Sequence, residues 1–219
     1  MNTFSNIITK STNFEAIINN ARIVASTDAT VLLKGQTGTG KEVFANAIQQ
    51  ASKRADKAFL KLNCATLPAY LIESKLFGHQ KGAFTEAKCD QDGFLKTAHE
   101  GTLFLDEIDS LPKSTQRKLL HFLDSNEFIP LGASDSLVAN VRIIAATNID
   151  LASLINNGMF HSDLYFRLNI FPIELPNLTN RDEDIEPLIH HFFHLFEKNN
   201  RTAPPILSLI HISEPTRPE

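Results

Sequence analysis

The segment Gly35-Gln36-Thr37-Gly38-Thr39-Gly40-Lys41-Glu42 has the residue types and spacing that most directly dictate a chemistry. Its glycines let backbone N–H groups curl round an anion, and Lys41 adds a point charge at the end of the run. Between a strand and a helix, such a run cradles a nucleotide: the helix N-terminus contributes partial positive charge, and Lys41 reaches the β- and γ-phosphates. The bland alternative, a glycine-rich turn, does not require the Gly-Lys pair, the strand and the helix to coincide. Glu42 stands where the general pattern has a Ser or Thr hydroxyl for magnesium. A magnesium ion must then lean more on another carboxylate.

Leu103-Phe104-Leu105-Asp106-Glu107 offers that carboxylate, because an apolar strand here ends in two acids. Asp106 is the candidate magnesium ligand, and Glu107 is the candidate to orient and polarise an attacking water. A third apolar run, 141–146, ends in Thr147-Asn148. Ligands of open α/β sheets gather at the carboxyl ends of strands, so Asn148 is a candidate sensor of the γ-phosphate. His190 and His194 lie one helical turn apart, a spacing that can bind zinc, but His191, Phe192 and Phe193 between them include no general-base Glu. Surface histidines are expected there. Cys64 and Cys89 form no CxxC pair and are read as structural thiols.

These residues need a scaffold that delivers strand ends side by side. Phe14, Ile17, Ile18, Ala21 and Val24 recur at helical spacing, and so do Val43, Phe44, Ala47, Ile48 and Ala51 after the glycine-rich run. Short apolar runs at 30–34, 59–62, 102–105, 141–146 and 171–175 are separated by helix-like stretches such as 114–123. Their continuous rather than alternating apolarity suits parallel strands buried on both faces. The expected fold is therefore α/β, a five-stranded mostly parallel sheet with helices on both sides, its strand order not legible. The stretch 73–96, with Gly78, Gly82 and Gly93, breaks the alternation and reads as a functional insertion. Beyond Pro176, Ile185, Leu188, Ile189, Phe192, Phe193 and Phe196 describe an amphipathic helix whose first turn is acidic at Asp182, Glu183 and Asp184.

Of the 219 residues, 42% are hydrophobic and 21% charged, the balance of an ordinary globular domain. The formal net charge of -4 lacks the basic excess that would neutralise a phosphate backbone, so direct DNA binding by this segment is not expected. Two cysteines and the absence of a secretory or membrane-crossing stretch make the cytoplasm the expected compartment. The expected organisation is a nucleotide-binding α/β part over 1–176, the start of a helical lid over 177–206, and a foreign tail over 207–219. The tail's Leu207–Pro218 resembles the conceptual translation of a sequencing-library transposon adapter. The natural protein is then expected to continue past Ile206.

Patterns running in order from about Ile8 to Phe193 resemble the AAA+ central domain of bacterial sigma-54 transcription activators. They are the Gly35–Glu42 run, Asn63-Cys64-Ala65, Glu73-Ser-Lys-Leu-Phe-Gly-His79, Gly82-Ala-Phe-Thr85, Gly101-Thr-Leu-Phe-Leu-Asp-Glu-Ile108, Arg142-Ile-Ile-Ala-Ala-Thr-Asn148, Asp163-Leu-Tyr-Phe-Arg167-Leu-Asn169 and Arg181-Asp-Glu-Asp-Ile185. The resemblance implies a ring-forming ATPase, typically hexameric, that uses ATP and magnesium to remodel sigma-54 RNA polymerase. It implies that Asn63 restrains Glu107 until ATP is sensed and that Arg167 acts as an arginine finger in the neighbouring subunit. The loop Gly82-Ala83-Phe84-Thr85-Glu86-Ala87 would touch the sigma factor. DNA would be reached only through a C-terminal domain absent from this chain.

Three departures bear on those expectations. Glu86 replaces the second glycine usual in the sigma-contacting loop, and is expected to resist torsions with φ > 0 there. His161 stands where the family often has a first arginine finger. The later lid helices are missing. The rival reading is a degenerate interaction module of the same family, which binds ATP without activating sigma-54. A P-loop small-molecule kinase is disfavoured by the lack of an evident acceptor site.

Overall fold

A computed structural model describes residues 3–200 of the chain. In chain order it contains α1 (Thr12–Ala25), β1 (Val31–Lys34), α2 (Lys41–Gln50), β2 (Phe59–Asn63), α3 (Ala69–Phe77), β3 (Gly78–His79), β4 (Gln91–Asp92), α4 (Phe94–Thr97) and β5 (Thr102–Asp106). After these come α5 (Lys113–Ser125), β6 (Glu127–Phe128), β7 (Leu137–Val138), β8 (Arg142–Thr147), α6 (Leu151–Asn156), α7 (Ser162–Leu168), β9 (Phe171–Glu174) and α8 (Ile185–Asn200). The expected tail at 207–219 lies outside the described residues.

Five strands form one parallel sheet in the order β2-β5-β8-β1-β9. Each apolar run expected as a strand is one, to within a residue or two at its ends. Continuous apolarity has a direct cause: alternate residues of every inner strand enter two different cores. Leu32, Leu103, Leu105, Ile143 and Ala145 pack with α3, α5 and α7 on one face. Val31, Leu33, Phe104, Ile144 and Ala146 pack with Phe14 and Ile18 of α1 and Phe44 and Ile48 of α2 on the other. Arg142, at the start of β8, is almost completely buried and donates to Val24 O (2.8 Å) and Ala25 O (3.1 Å). Its charge thus meets the negative end of α1 and ties that helix to the sheet.

The stretch 73–96 resolves into two pieces. Glu73–Phe77 is the last turn and a half of α3, and Gly78–His79 then pairs antiparallel with Gln91–Asp92, so that 80–90 protrudes as a hairpin loop. A second hairpin, β6–β7, was not expected. It docks on the first through Gln80 N–H to Leu131 O and Leu131 N–H to Gly78 O, each 2.9 Å. Pro130 and Gly132 at its bend were the turn signals that could have located it.

The acidic cluster before α8 also differs from expectation. Asp182–Asp184 form a separate 3-10 turn, not the first turn of the helix. Asp184 is fully buried, and its hydrogen-bond donors come from the far end of the chain: it accepts from Thr9 Oγ1 (2.8 Å), Lys10 N (2.6 Å) and Ser11 N (3.2 Å). Arg181 lies 3.6 Å from it, stacks on the Phe14 ring at 4.1 Å and reaches Thr39 O at 3.4 Å. Burial depresses the Arg181 pKa, while the Asp184 carboxylate opposes that shift. One charged pair thus straps the N-terminal segment across the expected boundary at Pro176. Asp184→Ala, which strands a buried guanidinium and three donors, is expected to destabilise the fold by about 3 kcal/mol. The check is the urea-unfolding midpoint, which should fall well below that of the parent.

Candidate nucleotide site

The site is assembled at the carboxyl ends of β1, β2, β5 and β8. Because β8 lies between β5 and β1, Asn148 stands between the acids after β5 and the glycine run after β1. Gly35 N–H continues the ladder by donating to Thr147 O at 3.2 Å. The run then turns through Gly38 (φ 87°) and Gly40 (φ 96°), left-handed torsions that glycine adopts without penalty. A Cβ at either position would meet nothing within 4 Å, so these glycines are required by backbone torsion and not by crowding. Lys41 opens α2 and is buried among the loop's carbonyls. Its Nζ donates to Gly35 O (2.8 Å) and Gln36 O (3.2 Å), leaving a third N–H for an anion. Gln36, Thr37 and Gly38 are exposed, and Thr39 is buried with its hydroxyl on Gln36 O.

Glu42 is exposed in the first turn of α2. Its carboxylate is turned to Lys61 Nζ on β2, 2.9 Å away, because an ammonium on the neighbouring surface is the nearest compensating charge. Asp106 is the remaining candidate for a magnesium ligand. It ends β5 half-buried, with Oδ1 accepting from Glu107 N–H at 3.0 Å. A hard oxygen donor in that place fits a magnesium ion whose other ligands are phosphate oxygens and water. Glu107 adopts φ 52° and ψ 49°, left-handed torsions that cost a non-glycine residue about 1 to 2 kcal/mol. The sequence held no sign of this strain, which turns the backbone sharply out of the strand at the carboxylate expected to face water.

Asn63 and Asp106 are paired neighbours at the ends of β2 and β5. The Asn63 Oδ1 accepts from Ala65 N–H at 2.9 Å, so this side chain closes its own turn; the Glu107 restraint expected of it is not among the hydrogen bonds of the described residues. Asn148 donates from Nδ2 to Thr37 Oγ1 at 3.3 Å, which sets its amide against the glycine run. Thr147 is buried and its hydroxyl donates to Asp109 Oδ1 at 2.6 Å. Asp109 escaped the sequence reading, since nothing in the spacing marks a third acid three residues past Asp106. Cys64 is buried beside these acids. Burial, with Asp106, Asp109 and Glu107 adding repulsion, pushes its thiol up to about 12, so it stays protonated and inert.

Arg167 is exposed on the outer face of α7 and forms an ion pair with Asp124 of α5 at 2.6 Å. The structure therefore does not bring it to the site of its own chain. His161 precedes α7 half-buried, its backbone N–H held by Gln116 Oε1 at 2.9 Å and its Nε2 without a hydrogen-bond partner. His190 and His194 are exposed on α8, and no cluster of three or more His, Cys, Asp and Glu that could hold a metal occurs among the described residues.

The loop Gly82–Ala87 lies on the first hairpin. Gly82 N–H donates to Ala87 O and Ala87 N–H to Phe84 O, each at 2.9 Å, with Gly82 at φ 83°. Phe84 packs edge-on against His79 (4.9 Å) and Tyr70 (6.0 Å), while Thr85 and Glu86 face solvent and Ala87 is buried. Glu86 is not among the residues at positive φ, so the backbone penalty expected of it is absent in this state. A Cβ at Gly132 would come within 2.9 Å of the Ala83 side chain, so the two hairpins approach closely there.

The family described as the sigma-54 interaction domain matches residues 7–174. This chain belongs to that family. Among members of the sigma-54 interaction family, it is 52% identical over 186 residues to the DNA-binding transcriptional activator HyfR of Escherichia coli, covering 85% of this chain and 28% of HyfR. The transcriptional regulatory protein GlrR of E. coli is 46% identical, over 84% of this chain and 42% of that protein. The crystal structure of NtrX from Brucella abortus in complex with ATP superposes with a TM-score of 0.85 at 31% identity, over 92% of this chain and 44% of that one. A P-loop NTPase domain of an E. coli sigma-54 activator shares the fold at a TM-score of 0.52 and 19% identity. The chain thus spans less than half the length of HyfR and GlrR. No helix among the described residues is long and apolar enough to cross a membrane.

Proposed function

We propose that this chain binds ATP with magnesium and hydrolyses it, and that a ring of such subunits, hexameric as in the resemblance, remodels sigma-54 RNA polymerase to activate transcription. The observation that carries the reading is the convergence of Lys41, Asp106, Glu107 and Asn148 on the carboxyl edge of one parallel sheet, in a chain of the sigma-54 interaction family. The phosphates would lie in the Gly35–Glu42 run, against its backbone N–H groups and Lys41. Beside that run opens a cleft of about 850 Å³ lined by Asn13, Phe14, Ile17, Gln36 and Leu175, of a size and character suited to a nucleoside. Magnesium, held by Asp106, would neutralise charge on the phosphates. Glu107 accepts the proton of the attacking water, and Asn148 hydrogen-bonds the γ-phosphate.

Arg167 serves the nucleotide of the neighbouring subunit in this reading, and must first leave Asp124 to do so. Loop 82–87 presents Phe84 and Thr85 to sigma-54 once Phe84 leaves Tyr70 and His79. In this reading residues 1–176 are the nucleotide-binding part, 177–206 are the start of its lid, and the cytoplasm is the site of action. Any DNA contact belongs to a part of the protein outside this chain.

The test is capture of purified sigma-54 by the protein trapped with a transition-state analogue of ATP hydrolysis. Capture should require the analogue, and Phe84→Ala should reduce it by about tenfold or more, as truncation of a buried aromatic anchor does. Analogue binding without any capture of sigma-54 would replace this reading by that of an interaction module that binds nucleotide only.

A further inference from the structure

Between the acids after β5 and the sensor after β8 runs a single side-chain bridge. Asp109 lies in the 3-10 turn Ile108–Ser110, which begins at the strained Glu107 and is closed by Ser110 N–H on Glu107 O at 2.9 Å. Its Oδ1 lies 2.6 Å from Thr147 Oγ1. The Thr147 hydroxyl has one proton and two acceptors in reach, Asp109 Oδ1 and Ile149 O at 3.1 Å; the shorter and charged one takes it. The same oxygen accepts from Ile149 N–H at 3.1 Å. Asn148 therefore sits on a backbone pinned on both sides by one hydroxyl, and that hydroxyl is held by the turn that carries Glu107. Thr147 is 1% exposed, so water is excluded from the hydroxyl end of the bridge, while Asp109 is half-buried.

We propose that Asp109 is a positioning residue that couples Asn148 to Glu107 through the Thr147 hydroxyl. The inference rests on the proposed ATPase reading for its catalytic consequence, but the mechanical link stands on the hydrogen bonds alone. When Asn148 moves to or from a γ-phosphate, Thr147 and Ile149 move with it, and the bridge carries that movement into the Glu107 turn. No other side-chain hydrogen bond joins 107–111 to 147–150 among the described residues. Asp109 need touch neither nucleotide nor water for this. It acts by fixing where the Glu107 carboxylate stands while the sensor is engaged.

Four variants of the full chain test it: Asp109→Ala, Asp109→Asn, Thr147→Val and the double variant Asp109→Ala with Thr147→Val. Each is assayed for ATP turnover, for affinity to a fluorescent ATP analogue and for hydrogen–deuterium exchange of segments 107–111 and 147–150. Asp109→Ala should lower kcat by about tenfold with analogue affinity within about twofold of the parent, the size of a lost coupling in a buried network. Exchange of both segments should rise together. Asp109→Asn, whose amide oxygen accepts the same O–H, should restore most of the turnover and the protection. Combining Asp109→Ala with Thr147→Val should cost no more than Thr147→Val alone, because that change already removes the bridge together with the acceptor for Ile149 N–H.

Parent-like exchange in both segments of Asp109→Ala overturns the link. So does an Asp109→Asn variant as impaired as Asp109→Ala, or losses in kcat and analogue affinity that simply track a lowered Tm. If the parent itself hydrolyses no ATP, the ATPase reading falls separately, and the exchange measurement alone decides the bridge: a joint rise supports it and unchanged exchange refutes it.

Discussion

Lys41→Ala is expected to weaken ATP binding by about a hundredfold. Hydrogen bonds to a charged group contribute about 1.5 to 3 kcal/mol, and the upper end applies where the ammonium is buried and meets a polyanion. Lys41 fits that case, being nearly buried and already positioned over the loop by Gly35 O and Gln36 O. Those two carbonyls hold the ammonium in place before any ligand arrives, so little side-chain freedom is lost on binding. The glycine torsions that shape the loop do not depend on the lysine, and the fold should survive the change. Titration of a fluorescent ATP analogue decides the matter. Affinity within a few-fold of the parent, in a variant with unchanged Tm, would refute the assignment of Gly35–Glu42 as the phosphate-binding run.

Glu107→Gln should leave analogue affinity within about twofold and lower kcat by two to four orders of magnitude, the usual worth of a positioned general base. The amide keeps the shape of the carboxylate but takes up no proton. Equal turnover in variant and parent would remove Glu107 from that role. The backbone at this position supplies a second expected result. With φ 52° and ψ 49°, Glu107→Gly relieves the left-handed penalty of about 1 to 2 kcal/mol, partly offset by the greater freedom of glycine in the unfolded chain. Its Tm should therefore equal or exceed that of the parent while hydrolysis is lost. A fall in Tm would mean that the glutamate side chain stabilises the turn through contacts that outweigh the strain.

Much of this protein was determined by local rules that operate without tertiary context. The phosphate-binding run was legible because Gly38 and Gly40 need torsions that other residues resist, and because the strand and helix on either side announce themselves by period and apolarity. The inner strands β5, β8 and β1 were legible because each is buried on both faces, which leaves continuous apolar runs, and the partly buried edge strands β2 and β9 showed as short apolar runs beside them. Asp106 and Glu107 followed from their position at the end of such a run. In each case the cause lies within about ten residues of its effect.

Tertiary structure alone decided what depends on which chain segments meet. Strand order places β8 between β5 and β1 and so sets Asn148 beside Thr37, a relation that no spacing encodes. Glu42 turned to Lys61, and Arg167 to Asp124, because an opposite charge was delivered from a distant segment. The buried carboxylate of Asp184 found its donors at Thr9, Lys10 and Ser11, across almost the whole described chain, though its neighbours in sequence suggested an ordinary acidic helix start. Asp109 owes its bond to Thr147 to the register of β5 against β8. Hydrogen bonds and ion pairs act over about 3 Å of space whatever the separation in sequence, so period and propensity, which are local averages, carry no information about them.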